Sequence, residues 1–390
     1  MINLYLPIET KNRELYGKLM IAARALENNY NVIIGRRKYV DRIAKINKIG
    51  VYINKNSSRP KFAKNRTYKK ILFVALDEEG IVFQNDKAFL KRTKLHNISE
   101  LDLLFLSGSY QYKLIRKYYP SYQSPTLVVG NPRFDFLNIL MHSDTFQGYK
   151  RSKIKRILTK GYILVTTNFT SFNLDKWYRK NPFNERKIRY QEKIVEKYVE
   201  FLREMSELVD NTNIVVRPHP SENKKYWVDK FKDFDNIFVI DELPVVAWIK
   251  FSKVVIHSGS TSGLEAMLSG IPVVKFNPFN KAPENLAEKI GIDTDETNIK
   301  EIVLSIINKD NKYNDILRKD NNSKTSLIKL YIDNINSYDS SDKIIDSLNE
   351  LVRENSLIHT SNIPHNKIQR FSTSVIYFIR FYAFKFSFGP

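Results

Sequence analysis

The feature that most restricts what this chain can fold into is an alternation of short apolar runs with longer segments of helical periodicity, repeated in two series. In the first, residues 2–6, 32–34, 51–53, 71–76, 103–106 and 127–129 read as strands. Between the first two lies a helical pattern over 13–27, with Leu15, Leu19, Ala22, Ala23 and Leu26 on one face. In the second series residues 162–166, 213–216, 237–240, 253–257 and 272–276 read as strands. A long helix over 185–209 carries an apolar stripe of Ile194, Val195, Tyr198, Phe201, Leu202, Met205 and Val209. Strands that alternate with helices form parallel βαβ units, and two such series predict two doubly wound α/β domains. In sheets of this kind ligands bind beyond the carboxyl ends of the strands.

The 390 residues suit this division, and a hydrophobic share of 42% with 13% aromatic residues is enough for two cores, which excludes a mainly disordered protein. The expected domains are 1–150 and 151–355, divided near the basic, loop-like stretch 147–160. An Asn-, Asp- and Lys-rich stretch at 308–324 reads as a loop or frayed helix, and 328–352 as helix. Residues 356–390 form a third segment, in which Lys367, Arg370, Arg380 and Lys385 interleave with Phe371, Ile376, Tyr377, Phe378, Phe381, Tyr382, Phe384 and Phe386. Basic residues interrupt the apolar run, so this basic aromatic tail is expected to lie on an anionic membrane surface rather than to span it.

There are no cysteines, which removes disulfide frameworks and thiolate metal sites. Residues 1–8 run into a strand with no basic leader or cleavage site, and no long uncharged apolar stretch occurs. The expected location is therefore cytoplasmic, peripheral at the inner face of the membrane. A formal charge of +21 favours anionic partners, but no nucleic-acid-reading motif accompanies it and no nucleic acid is expected to bind.

Three segments carry chemistry. His257-Ser258-Gly259-Ser260-Thr261-Ser262-Gly263-Leu264-Glu265 ends an apolar strand in hydroxyl and glycine residues and then opens a helix. Small residues let backbone N–H groups and hydroxyls approach an anion, and the helix N-terminus adds its positive end, so a phosphate is expected here with Glu265 toward a ribose. Arg217-Pro218-His219-Pro220 follows the strand over 213–216; two prolines restrict the loop, His219 can donate to a phosphoryl oxygen and Arg217 can pair with it bidentately. Asp77-Glu78-Glu79-Gly80 ends an apolar strand in three acids, whose mutual repulsion is expected to raise at least one pKa and to suit general acid/base or nucleophilic work. Glu9 and Arg13, four apart where the first strand meets the first helix, form an ordinary helix pair or face a sugar or acceptor group, and Asn131, Arg133 and Asp135 either contact the sugar or fix the domain boundary. Asp293-Thr294-Asp295 spells a metal-binding DxD, but in a charged loop after the nucleotide segment it is not expected to hold a metal, and the six histidines show no metal-ligand spacing.

The His-Pro loop and the hydroxyl turn, in that order, resemble the donor half of the GT-B glycosyltransferase superfamily. The wider pattern is similar to bacterial surface carbohydrate biosynthesis proteins related to capsule Kdo transferases. It rests on Pro7-Ile8-Glu9-Thr10-Lys11-Asn12-Arg13-Glu14-Leu15, Asp77-Glu78-Glu79-Gly80, Gly130-Asn131-Pro132-Arg133-Phe134-Asp135 and the strand and turn at 162–169, and spans residues 1–290. The resemblance implies an enzyme moving an ulosonic sugar, Kdo or a nonulosonic acid such as pseudaminic acid, from a CMP-activated donor to a glycan or lipid-linked glycan acceptor in capsule or lipopolysaccharide synthesis. It implies donor binding by Arg217, His219, Ser258, Ser260, Thr261, Ser262, Gly263 and Glu265, catalysis by Glu79 before Asp77 or Glu78, and no cofactor or metal. A nucleoside monophosphate leaving group needs less charge neutralisation than a diphosphate. Two alternatives stand beside it: a teichoic-acid-type CDP-glycerol glycerophosphotransferase, which needs a second histidine where the N-terminal half offers only His96 and His142, and a non-catalytic polyanion- or membrane-binding protein.

Overall fold

A computed structural model describes residues 1–355 except 64–67, 69, 79, 84, 143–156, 158–160, 173–184, 210, 311–322 and 336, and only the backbone of residues 12 and 13. The basic aromatic tail lies outside the described residues. The chain divides into two compact units, one built from Met1–Ile139 and the segment from Leu327 onward, the other from Leu140–Ser326.

In the first unit β1 (Asn3–Ile8), β2 (Asn31–Arg36), β3 (Ile49–Asn54), β4 (Lys70–Leu76), β5 (Leu103–Leu106) and β6 (Thr126–Val128) form one sheet in the order β2-β1-β3-β4-β5-β6. Every pairing is parallel, with Leu4 opposite Val32 and Val51 opposite Leu72. Side chains alternate between the faces, as a pleat requires. Leu4, Leu6, Val51, Ile53, Leu72 and Val74 pack on one side, and Tyr5, Tyr52, Phe73 and Leu104 on the other.

The helix Ser340–Glu354 presents Ile344, Ile345, Leu348 and Val352 to the first of these faces, beside Ile21, Ala22 and Ala25 of the helix Lys11–Glu27. It thus belongs to the N-terminal unit rather than to the expected second domain. Asp135 anchors its start: the buried carboxylate accepts from the Ser341 N–H and hydroxyl, both at 2.7 Å, and from the Ser340 N–H at 3.3 Å. This is an N-cap supplied from another element, which explains why the boundary segment carries an acid there.

In the second unit β7 (Tyr162–Thr166), β8 (Asn213–Arg217), β9 (Ile237–Val239), β10 (Ser252–His257), β11 (Val273–Phe276) and β12 (Ile292–Thr294) form a parallel sheet in the order β12-β11-β10-β7-β8-β9. Its core combines Ile163, Val165, Ile214, Val216, Val254 and Ile256 with Val195, Tyr198, Leu202 and Met205 of the helix Glu185–Leu208. Asp293 lies on edge strand β12, not in a loop, and pairs with Lys275 at 3.0 Å. Among the described residues no helix is long and apolar enough to cross a membrane.

Candidate functional site

In the second unit the strand order reverses between β7 and β10, so the chain leaves their carboxyl ends in opposite directions and opens a crevice there. The hydroxyl turn begins at that point. His257 ends β10 fully buried, and its Nδ1 accepts from the N–H groups of Gly259 at 3.0 Å and Ser260 at 3.1 Å. The ring proton therefore sits on Nε2, 3.0 Å from the Ile290 carbonyl. Burial pushes the imidazole pKa down to about 4, against that hydrogen bond, so the ring is neutral near pH 7. The ring also explains the glycine at 263, where a Cβ would stand 2.5 Å from Nε2.

Ser260 caps the helix Thr261–Leu268, its Oγ accepting from the Ser262 N–H at 3.3 Å. The Ser260 and Ser262 hydroxyls lie 2.7 Å apart, and Ser262 Oγ donates to Thr166 Oγ1 on β7 at 2.7 Å. Because the N–H groups of Gly259, Ser260, Ser262 and Gly263 are held by His257 or Ser260, the turn offers an anion mainly hydroxyls. Ser258 and Thr261 are partly exposed, while Glu265 is 1% exposed.

Beyond β8, His219 is half-buried, its Nδ1 accepting from the Ser221 N–H at 3.3 Å and lying 2.6 Å from the Ser221 hydroxyl, which leaves the neutral ring's proton on Nε2. Arg217 is placed otherwise than expected. Its guanidinium donates to the carbonyls of Glu242 at 2.8 Å, Asp241 at 3.4 Å and Leu243, so it braces the loop after β9. Leu243 is held there at a φ of 61°.

A residue that sequence reasoning missed joins these loops. Glu222 is buried and accepts from the Thr167 hydroxyl, the Phe169 N–H and the Trp227 Nε1–H, each at 2.9 Å, and from the His219 N–H at 3.4 Å. Burial raises its pKa, with these four donors opposing. Its one signal in the sequence was its place three residues after His219.

In the first unit the order reverses between β1 and β3, and here too a pocket lies at the carboxyl ends. It is lined by Thr10, Glu14, Gly17, Lys55, Leu76, Glu78, Asn131, Pro132 and Arg133. Glu9 pairs with Arg37 at 2.5 Å and Lys55 at 2.6 Å, and Lys55 reaches Glu14 at 3.2 Å. Burial alone raises the Glu9 pKa, but the Lys55 hydrogen bond and the nearby cations outweigh it and hold the carboxyl below its ordinary value. The buried Glu14 carboxylate accepts from the N–H groups of Glu9 and Thr10, both at 2.9 Å, and so closes the amino end of the Lys11–Glu27 helix. The Arg13 side chain lies outside the described residues. Glu9 therefore pairs across the strand ends.

Deeper in, Lys18 is 1% exposed and its Nζ lies 2.9 Å from Glu78. Burial pushes the Glu78 pKa up, opposed by Lys18. The expected rise in the acidic triplet thus falls on Glu78, and desolvation is its main cause rather than repulsion within the triplet. Asp77 is buried and meets Arg92 at 3.1 Å instead of lining the pocket. Glu79 lies outside the described residues. Asn131 accepts from the Arg133 N–H at 3.1 Å, bringing both residues to the rim. Lys18 and Lys55 were missed; Lys55 directly follows an apolar run, at a strand's carboxyl end.

No protein-family model matches the chain, and no curated protein matches it. Solved structures share its fold. A UDP-N-acetylglucosamine 2-epimerase from Listeria monocytogenes aligns at a TM-score of 0.58 with 14% identity, over 93% of this chain and 100% of that one. The epimerase from Neisseria meningitidis bound to UDP-GlcNAc gives 0.52 with 13% identity, over 90% and 99%. The wall teichoic acid polymerase TagF, in an H444N variant with CDPG, gives 0.53 with 12% identity, over 92% and 90%. The chain has the GT-B fold, two Rossmann-like units of six parallel strands each. At these identities the likeness concerns the fold.

Proposed function

We propose that this protein is a GT-B glycosyltransferase of bacterial surface polysaccharide synthesis, transferring an ulosonic sugar from a CMP-activated donor to a glycan acceptor. The observation that carries this reading is the contrast of the two sheet edges: hydroxyls and a histidine on one, carboxylates and lysines on the other. The donor phosphate sits against the hydroxyls of Ser260 and Thr261, with Ser262 and Gly263 shaping the turn, while the Ser258 hydroxyl is buried. His219 donates to a phosphoryl oxygen from Nε2 and so stabilises the departing nucleotide. Glu265 serves the ribose, and Arg217 braces the nucleotide-side loop. Among the described acids of the triplet, Glu78 is the candidate for the catalytic carboxylate because it lines the pocket, and its raised pKa makes it a better proton acceptor for the attacking hydroxyl; Glu79 lies outside the described residues. Lys55 and Arg133 complement the carboxylate of an ulosonic sugar, with Asn131 and Glu9 fixing their surroundings. No reacting step here requires a metal.

A glycerophosphotransferase of the kind represented by TagF is the second reading, since that polymerase shares the fold. The N-terminal pocket favours the first: carboxylates line it, and neither His96 nor His142 does. A mass-spectrometric screen decides. The protein is incubated with CMP-Kdo, CMP-pseudaminic acid, CDP-glycerol and UDP-GlcNAc, and nucleotide release and sugar products are read. CMP released from a CMP-ulosonic sugar is the expected result. Turnover of CDP-glycerol alone, epimerisation of UDP-GlcNAc alone, or no turnover of any donor overturns it.

A further inference from the structure

We infer that Glu222 is a positioning residue of the nucleotide edge, a carboxylate that locks the loops after β7 and β8 together and holds His219 in register with the hydroxyl turn. The inference rests on the proposed nucleotide site and adds to it a residue that touches no ligand. Three strand ends contribute to that site, and each is wired to the next. From the β10 end, Ser260 meets Ser262, and Ser262 donates to Thr166 at the end of β7. The residue after it, Thr167, donates its hydroxyl to Glu222 Oε1, which also takes the Phe169 N–H. The same oxygen takes the His219 N–H, and Glu222 in turn donates its own N–H to the His219 carbonyl at 2.8 Å. Oε2 takes the indole N–H of Trp227, a fully buried side chain on the helix Lys224–Phe231.

Three of the four donors to this carboxylate are N–H groups that cannot accept, so they call for the ionised form. Burial disfavours that form, and the side chain persists as an acceptor because every oxygen is met by a donor. A neutral amide fails in a specific way. One end of a glutamine is an NH₂, so whichever way it turns, N–H groups face each other where a carboxylate accepted. Trp227 meets only Oε2, whereas both loops converge on Oε1, so the two halves of the network are separable by mutation.

The test compares Glu222→Gln with Trp227→Phe, which removes one hydrogen bond to the same carboxylate and leaves the loops tied. Calorimetry with CMP, CDP and UDP measures nucleotide affinity, and ¹⁵N-edited histidine ring spectra, with His219 assigned by its absence in His219→Ala, report its tautomer and environment. Glu222→Gln is expected to weaken the nucleotide bound by the wild type tenfold or more and to shift the His219 ring resonances, while Trp227→Phe lowers the melting temperature and changes neither. If Glu222→Gln does not fold, Thr167→Val takes its place in both measurements. Wild-type affinity and unmoved His219 resonances overturn the inference, as does an equal effect of Trp227→Phe on both readouts. If the wild type binds none of the nucleotides, the nucleotide reading falls and the ring spectra alone decide: a His219 shift in Glu222→Gln but not in Trp227→Phe supports the positioning role, and no shift overturns it.

Discussion

The two sheets present different chemistry at equivalent places. Both are six-stranded and parallel, and both have a candidate site where the strand order reverses. At the C-terminal switch point the described groups include hydroxyls, a neutral buried imidazole and the buried carboxylates of Glu222 and Glu265. At the N-terminal one, Arg37, Lys55 and Lys18 alternate with Glu9, Glu14 and Glu78 in ion pairs of 2.5–3.2 Å. A turn that presents hydroxyls can receive a phosphate without breaking an ion pair. An edge of ion pairs suits proton transfer, because burial raises the proton affinity of Glu78 while the cation of Lys18 opposes it. The fold supplies a strand-order reversal twice, and under the proposed function the side chains divide the labour.

The largest effect expected from breaking this contrast is on turnover. Glu78→Gln keeps the shape of the side chain but removes its basicity, and transfer should fall by about a hundred- to ten-thousand-fold. Calorimetric affinity for the nucleotide should be unchanged, because the donor residues lie in the other sheet. Equal loss of binding and turnover would merge the two sites into one and end the division of labour. Lys18→Met tests the same pair through stability. It leaves Glu78 without its nearest cation in a largely buried place and should cost about 3–5 kcal/mol in denaturant unfolding. The double variant Lys18→Met/Glu78→Gln should recover part of that loss, and simple additivity of the two would show that the pair is not coupled.

His257 sharpens the comparison by way of pH. Its folded pKa is about 4 against 6.5 for an ordinary histidine, so the unfolded chain takes up a proton that the native state refuses. The stabilisation is fully present above pH 6.5 and is lost as pH falls through 4, amounting to about 3 kcal/mol at full extent. Denaturant melts at pH 7.0 and 4.5 measure it. His257→Asn should flatten this part of the profile, and an unchanged acid dependence would locate the titrating group elsewhere. His219→Ala has a smaller effect, removing one Nε2–H donor from the nucleotide. Affinity should drop about tenfold, close to 1.4 kcal/mol, with the melting temperature preserved.

How much of this was legible beforehand depended on whether apolar residues marked the place. Strands β5 and β7 fall where the runs 103–106 and 162–166 put them, and the stripe of the Glu185–Leu208 helix is buried much as read, because each packs wholly against apolar neighbours. The Lys11–Glu27 helix differs. Leu26 is 45% exposed, and the buried face runs through Glu14, Lys18, Ile21 and Ala25, since its first two turns cover the ionic pocket rather than the core. Of the apolar stripe, Ala22 and Ala23 are buried, while Leu15 and Leu19 are partly exposed beside that face. Strand β12 went unseen because Asp293 breaks its three residues, and the Ser340–Glu354 helix was given to the wrong unit because its return is fixed by Asp135, some two hundred positions away. Of the candidate site residues, those at strand ends with distinctive neighbours, His219, Ser260 and Ser262, are marked by the sequence pattern. Glu222 and Lys18 act through burial and pairing, which no local pattern encodes.

The smallest effect expected comes from chelation. Asp293-Thr294-Asp295 has the spelling of a metal-binding pair, and a metal at the nucleotide edge would undo the contrast by adding a cation to a site of hydroxyls. The two carboxylates are otherwise engaged. Asp293 meets the amine of the buried Lys275 at 3.0 Å. Asp295 accepts from the Thr297 N–H at 3.0 Å and hydroxyl at 2.6 Å, and the Asn298 N–H lies 3.3 Å away, in the turn that leads into the helix Ile299–Ile307. The Asp295 pKa is lowered chiefly by the Thr297 hydroxyl, which marks a carboxylate satisfied by its own turn. A metal would have to displace Lys275 from one acid and dismantle a helix start to reach the other. Donor turnover should therefore be the same in EDTA as in millimolar Mg²⁺ or Mn²⁺, and Asp295→Asn should alter stability without altering turnover. A loss of turnover in EDTA that Mn²⁺ restores would assign the charge at the nucleotide edge to a bound ion and put His219 and the hydroxyl turn in a supporting role.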